Sequence, residues 1–152
     1  MSEGRRDMAY RDFEAGPPTT RLTPLSRSEC EKLLASNSVG RVAWQASTGL
    51  QLLPISYAWH DGRIVFRTSP QGLLAELVQA KDVVFEVDVI DHHSHTGWSV
   101  VVSGHAEGVS SPAELTELRG AEGAVPWAGG VRNLFISITP SSITGRSLTR
   151  DG

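Results

Sequence analysis

The chain contains one cysteine, Cys30, so no internal disulfide framework can form and packing alone must hold the fold. A lone thiol is also compatible with a reducing compartment. It lies within SRSECEKLLAS, which reads as a helix, where a packed or half-exposed side chain is expected rather than a nucleophile. Neither sign of charge dominates: a net charge of −3 gives no electrostatic reason to expect nucleic acid or an anionic membrane as a partner. No apolar run is long enough to cross a bilayer as a helix. The opening MSEGRRDMAYRDFEAGPPTT mixes both charge signs and lacks the apolar segment of a signal peptide, so a cytoplasmic chain is expected. Walker and dinucleotide fingerprints are missing, as is a nucleophile elbow with its Ser-His-Asp order.

What remains is the composition of an ordinary globular protein, with 39% hydrophobic and 20% charged residues. At 152 residues the chain can bury one real core but not two. The expected organisation is a flexible arm over residues 1–20, closed by Gly16-Pro17-Pro18 and carrying Tyr10 and Phe13, and a single domain over residues 21–152. Ser26 with Glu29 three positions on predicts a capped helix carrying Leu33 and Leu34. Residues 39–45 and 50–60 alternate as strands about a turn at Ser47-Thr48-Gly49. In the second, Leu53, Ile55, Tyr57 and Trp59 share a face, and Pro54 demands an edge, a bulge or a kink. Asp61-Gly62 signals a hairpin into a strand over residues 63–68.

Further on, VVFEVDVI and WSVVVSGHAEGV are alternating strands, the first with Val83, Phe85, Val87 and Val89 on one face. Ser111-Pro112 opens a short helix to about Arg119, residues 120–130 read as loop, and residues 133–139 and 143–147 read as two short strands around Pro140. Six or seven hairpin-connected strands without long βαβ crossovers predict a mainly β protein, an antiparallel barrel with short peripheral helices.

The most informative stretch is DGRIVFRTSPQGLLAEL. Its strand stops at Ser69-Pro70-Gln71-Gly72 and restarts as a predicted helix bearing Leu73, Leu74, Leu77 and Val78. Backbone N–H groups of a helix start, the hydroxyls of Thr68 and Ser69 and the Arg67 guanidinium would converge there, an arrangement suited to phosphate. The same residues also suit a plain turn that caps a helix. His92, His93 and His95 follow no metal-ligand spacing and read as a solvated loop, so no metal site is assigned. His105 reads as a satisfied barrel histidine, and Glu86 and Asp88 as acids meeting solvent or Arg41. Trp44, Trp59 and Trp127 read as packing residues.

Laid out in this way, the chain resembles the pyridoxamine 5'-phosphate oxidase-like family of FMN-binding split β-barrels. The likeness rests on SVGRVAW (Ser38 on), LPISYAWHDGRIVFRTSPQGLLAEL (Leu53 on), VVFEVDVID (Val83 on), TGWSVVVSGHAEGV (Thr96 on) and ITPSSITGR (Ile138 on), in that order. The resemblance implies a homodimeric flavoprotein oxidoreductase acting on a small-molecule substrate, with FMN held between two barrels. It places Arg67, Thr68, Ser69, Gly72 and Leu73 around the FMN phosphate, and Pro54, Ile55, Ser56 and Tyr57 beside the flavin ring. Trp98 and Ser99 would approach the phosphate end from the partner chain. No catalytic acid or base is assigned. Vitamin B6 itself is not the expected substrate, since no basic cluster for a second phosphate is visible. Leu73 stands where firm FMN binders carry lysine, and losing a charged hydrogen bond costs on the order of 1.5–3 kcal/mol. The alternatives are an F420-dependent reductase and a non-catalytic flavin- or haem-sequestering protein on the same scaffold.

Overall fold

A computed structural model describes residues 20–79, 81–119 and 133–150. In chain order these form β1 (Thr20–Pro24), α1 (Arg27–Ser36), β2 (Val39–Ala46), β3 (Gly49–Ser56), β4 (Ala58–His60) and β5 (Arg63–Thr68). A 3₁₀ helix (Leu73–Gln79), β6 (Lys81–Asp91), β7 (Thr96–Gly108), α2 (Pro112–Arg119) and β8 (Leu134–Arg150) complete it. The predicted arm over residues 1–19, the loop over 120–130 and Trp127 lie outside the described residues.

The local signals act where the sequence places them. Ser26 Oγ accepts from Glu29 N at 3.1 Å while Ser26 N donates to the Glu29 carboxylate at 3.2 Å, so α1 opens on a reciprocal capping box. Asp61 and Gly62 both take positive φ, 53° and 74°, as a two-residue hairpin turn matched to strand twist requires.

All strand pairs are antiparallel, in the order β3-β2-β6-β7-β8-β5-β4, and β1 adds to β8. The two ends of that order, β3 and β4, are neighbours in the chain separated only by Tyr57. The sheet therefore curls round until one stretch of chain serves both edges, which is the split β-barrel. The predicted strand over residues 50–60 is divided here, because its first part pairs with β2 and its last part with β5. Pro54 falls in β3, a strand at the end of the sheet order, opposite Arg41, in keeping with the edge position its missing N–H demands.

A second difference lies at Pro140. The two predicted short strands are one strand of 17 residues, β8. Gly104 faces Pro140 and Ser103 faces Ser142, so Ser141 is an extra residue in a bulge that absorbs the irregular proline. β1 was not foreseen at all, and with it the described sheet has eight strands.

Alternation sorts the side chains into two cores. Ile64, Phe66, Phe85, Val100, Val102 and Ile136 belong to the barrel interior, closed at one end by Cys30 and Leu34 of α1. On the opposite face of β5, Val65 packs with Phe135 beneath Leu118 of α2. An Arg63–Glu114 ion pair ties α2 to that face. The segment after Gly72 is a 3₁₀ helix rather than the predicted α-helix: Leu77 is buried, while Leu73 and Val78 are 45% and 38% exposed. Val89 is also exposed, because β6 there runs past the interior. His105 points outward and is satisfied by Asp82, Nδ1 to Oδ1 2.7 Å, rather than within the barrel. No helix among the described residues is long and apolar enough to cross a membrane.

The bulge makes Gly104 the most sterically committed glycine, since a Cβ there would lie 2.2 Å from the Thr139 carbonyl oxygen. Gly104→Ala is expected to lower stability by about 1–3 kcal/mol through overpacking, read as a lower urea midpoint at unchanged m-value.

Candidate functional site

β5 ends in a compact polar turn. Thr68 faces inward and is only 2% exposed, whereas Arg67 faces outward with its guanidinium over the Phe135 ring at 5.0 Å. Ser69 then folds the chain back: its carbonyl accepts from Gly72 N at 3.0 Å, and its hydroxyl accepts from Gln71 N at 3.4 Å and meets Gln71 Oε1 at 3.1 Å. Ala75 N donates to Gly72 O at 3.1 Å, so the 3₁₀ helix starts directly on that turn. Gly72 overlies the Thr68 hydroxyl, and a Cβ on it would come 3.6 Å from Oγ1. The Thr68 hydroxyl lies on the inner face of β5 and the Arg67 guanidinium on the outer, so of the predicted set it is the Ser69-to-Gly72 turn and Arg67 that are open to a ligand. Their chemistry fits a phosphate, with the leucine of Leu73 rather than a cation at the rim.

Barrel closure brings a second group to this turn. Ala58 pairs with Val65, and β3, which carries Pro54, Ile55 and Ser56, touches β5. Pro54 is exposed, Ile55 is 7% exposed and faces the interior, and Ser56 is half-buried. The buried Tyr57 is held from three sides. Its N–H donates to Ser38 O at 2.9 Å, its hydroxyl donates to Leu34 O at 2.8 Å, and its ring meets Phe85 edge-on at 4.8 Å. Burial raises the pKa of that phenol, so it stays a donor.

Trp98 and Ser99 are not brought to this place. They pair with Ser147 and Arg146, whereas Thr68 pairs with Leu134 of the same strand. From Leu134 to Ser147 the strand runs roughly 40 Å at about 3.3 Å per residue. Arg146, which lines a groove with Ser99, was not picked out from the sequence as a site residue; the signal available was its place in ITGR at the end of the last strand.

The outer face carries a charged cluster. Arg41 Nη1 lies 3.6 Å from both Glu86 and Asp88, the pairing the sequence suggested. Glu86 Oε1 is buried and has no hydrogen-bond partner. Burial, then the hydrogen bond and charge of Asp88, push the Glu86 carboxyl up to about 7 against the opposing pull of Arg41. Elsewhere, Asp91 Oδ1 accepts from His93 N at 2.9 Å and Ser94 N at 3.2 Å, which holds its carboxyl below the usual range. Among the described residues no three His, Cys, Asp or Glu side chains gather as metal ligands. Cys30 is fully buried, and burial pushes its thiol up. Trp44 is buried with its indole N–H on Glu76, and Trp59 packs on the core.

A split barrel with an anion-suited turn at its closing seam defines the structural class. The chain belongs to the pyridoxamine 5'-phosphate oxidase-like family: residues 26–147 match the family described as Pyridoxamine 5'-phosphate oxidase. It is 30% identical to the uncharacterized protein Rv0080 of Mycobacterium tuberculosis, over 99% of this chain and 97% of that one. It also resembles a solved FAD binding protein from Mycobacterium smegmatis, at 31% identity and TM-score 0.70, covering 84% of this chain and 98% of that one. A conserved protein of unknown function from Corynebacterium diphtheriae is similar at 30% identity and TM-score 0.68, with the same coverage of 84% and 98%.

The Glu86 environment has a measurable consequence. A carboxyl raised from 4.5 to about 7 in the fold binds its proton more tightly folded than unfolded, so the wild type loses stability as pH rises between those values. Glu86→Gln removes this loss. The melting-temperature difference in favour of the Gln variant is expected to widen from about pH 4.5 to about 7 and stay level above.

Proposed function

We propose that this chain is an FMN-binding oxidoreductase that works as a homodimer, with each flavin held between two barrels. The observation that carries the reading is the split of the candidate site. Arg67, Thr68, Ser69, Gly72 and Leu73 sit at the end of β5 and in the segment after it, with β3, the strand of Pro54, Ile55 and Ser56, touching β5, whereas Trp98 and Ser99 of β7 pair with the far end of β8. In this reading a second copy brings Trp98 and Ser99 to the Arg67 turn. Apolar residues on the outer face support such a copy: Leu52 and Val84 flank Ala43 in one row and are 63% and 43% exposed. The Mycobacterium smegmatis relative, called an FAD binding protein, supports a flavin as the ligand.

In this reading Arg67, Thr68 and Ser69 hold the phosphate, and the small and apolar residues of β3 wall one side of the ring. Bound FMN supplies the transfer of an electron pair to a small organic acceptor. The chain's own part is to bind, orient and shield; no side chain is assigned as acid or base. A leucine at position 73 in place of a cation weakens phosphate binding about tenfold or more. The flavin-binding unit is residues 21–152, and a cytoplasmic location accords with a buried free thiol.

The purified protein is expected to be yellow, with the absorbance of oxidised flavin. A colourless protein that takes up F420 would favour the reductase alternative, and a Soret band on haem addition without turnover the sequestering one. Arg67→Ala is expected to lose most of its flavin with an unchanged circular dichroism spectrum; equal flavin content in mutant and wild type removes the phosphate role. Trp98→Ala is expected to raise the FMN dissociation constant severalfold while the Arg67 turn stays intact, and an unaltered constant removes the two-chain site.

A further inference from the structure

We infer that the groove at the far end of β7 and β8, built around Arg146, is a second anion subsite that takes the phosphate or carboxylate of an organic ligand with an apolar body. The groove has a volume of about 410 Å³. The strand ladder fixes its construction. Ser99 pairs with Arg146, which pairs with Pro24 of β1, and in the next row Gly97 pairs with Leu148, which pairs with Leu22. Gly97 has no freedom to carry a side chain, since a Cβ would lie 2.4 Å from the Val89 carbonyl oxygen, and so the β6 backbone packs directly against this wall of the groove. Leu22 and Ile90, 59% and 54% exposed, form the apolar floor together with Leu148.

The polar groups over that floor suit a negative charge. Arg146 has no carboxylate partner among the described residues. The two nearest acids in the ladder are occupied elsewhere: Asp88, opposite Ser99, lies 3.6 Å from Arg41, and the Asp91 carboxylate takes the N–H groups of His93 and Ser94. The β6–β7 turn adds the imidazoles of His92 and His95 to the lining, the latter on a backbone held at φ 59°. The Ser99 hydroxyl completes the rim. A guanidinium with no carboxylate partner among the described residues, beside imidazoles and above exposed leucine and isoleucine, suits a ligand that is anionic at one end and apolar at the other.

The inference rests on the two-chain reading in one respect: Ser99 is the residue placed there at the phosphate end of the flavin. The groove then receives either an extension of the cofactor beyond its first phosphate or the anionic group of the substrate. ADP, the adenine half of FAD, and benzoate, an aromatic carboxylate, are probes for these two sources.

The full-length protein and its Arg146→Gln, Arg146→Lys and Arg67→Ala variants are titrated calorimetrically with FMN, ADP and benzoate. The wild type is expected to bind ADP or benzoate, and Arg146→Gln to weaken that probe at least tenfold more than it weakens FMN, with partial recovery in Arg146→Lys. ADP as the responding probe assigns the groove to the cofactor, benzoate to the substrate. No binding of either probe to the wild type, equal affinities in wild type and Arg146→Gln, or an FMN loss in Arg146→Gln as large as in Arg67→Ala overturns the second subsite. Arg146-dependent binding of ADP or benzoate by a chain that takes up no flavin leaves the groove standing and removes the flavoprotein reading alone.

Discussion

The passage of the chain through Tyr57 is the constraint from which the rest of the structure follows. One stretch of chain leaves β2 as β3 and joins β5 as β4, so Tyr57 must be buried at the junction with both its backbone and its hydroxyl satisfied. It is: Ser38 and Leu34 accept from its N–H and its hydroxyl, and Phe85 packs edge-on against its ring. An unsatisfied hydroxyl in that place would cost about 1–3 kcal/mol, a large fraction of a domain's margin of stability. The helix α1 is needed for the same reason, since it supplies the Leu34 carbonyl and starts from a firm cap.

Closing the barrel there has a chemical result. Arg67 and Thr68 end a strand that faces the core on one side and α2 on the other, and the crossing brings β3 against that strand. Arg67 is held with its guanidinium over the Phe135 ring, which would spare part of the ordering cost in the proposed binding role. The far end of the sheet has the complementary property. There β7 and β8 carry Trp98, Ser99 and Arg146 away from that turn, and the proposed pairing of two barrels is what would bring the two sets of groups together.

Much of this was legible from short-range patterns. The Ser26–Glu29 box, the Asp61-Gly62 turn, the β5 strand and the Pro112 helix each depend on a few adjacent residues, and each is found where it was read. What could not be read depends on partners distant in sequence. The split at Tyr57 arises because β2 and β5 compete for one strand, and the continuity of β8 through Pro140 because a bulge opposite Gly104 accommodates it. β1 has little burial of its own and exists because β8 offers an edge. Family likeness, more than local pattern, singled out Trp98 and Ser99, and it passed over the groove beside them because Arg146, His95 and Leu22 come from three separate parts of the chain.

The central claim, that each flavin site draws on two copies of the chain, is tested most directly by complementation. Arg67→Ala and Trp98→Ala chains are mixed, allowed to exchange subunits, and assayed for bound FMN. A mixed dimer then has one site with both residues intact and one with neither, so the account predicts that tight flavin binding, weak in each variant alone, returns at one site per mixed dimer. Failure of the mixture to bind more flavin than the better of the two variants, after exchange has been verified, would contradict it.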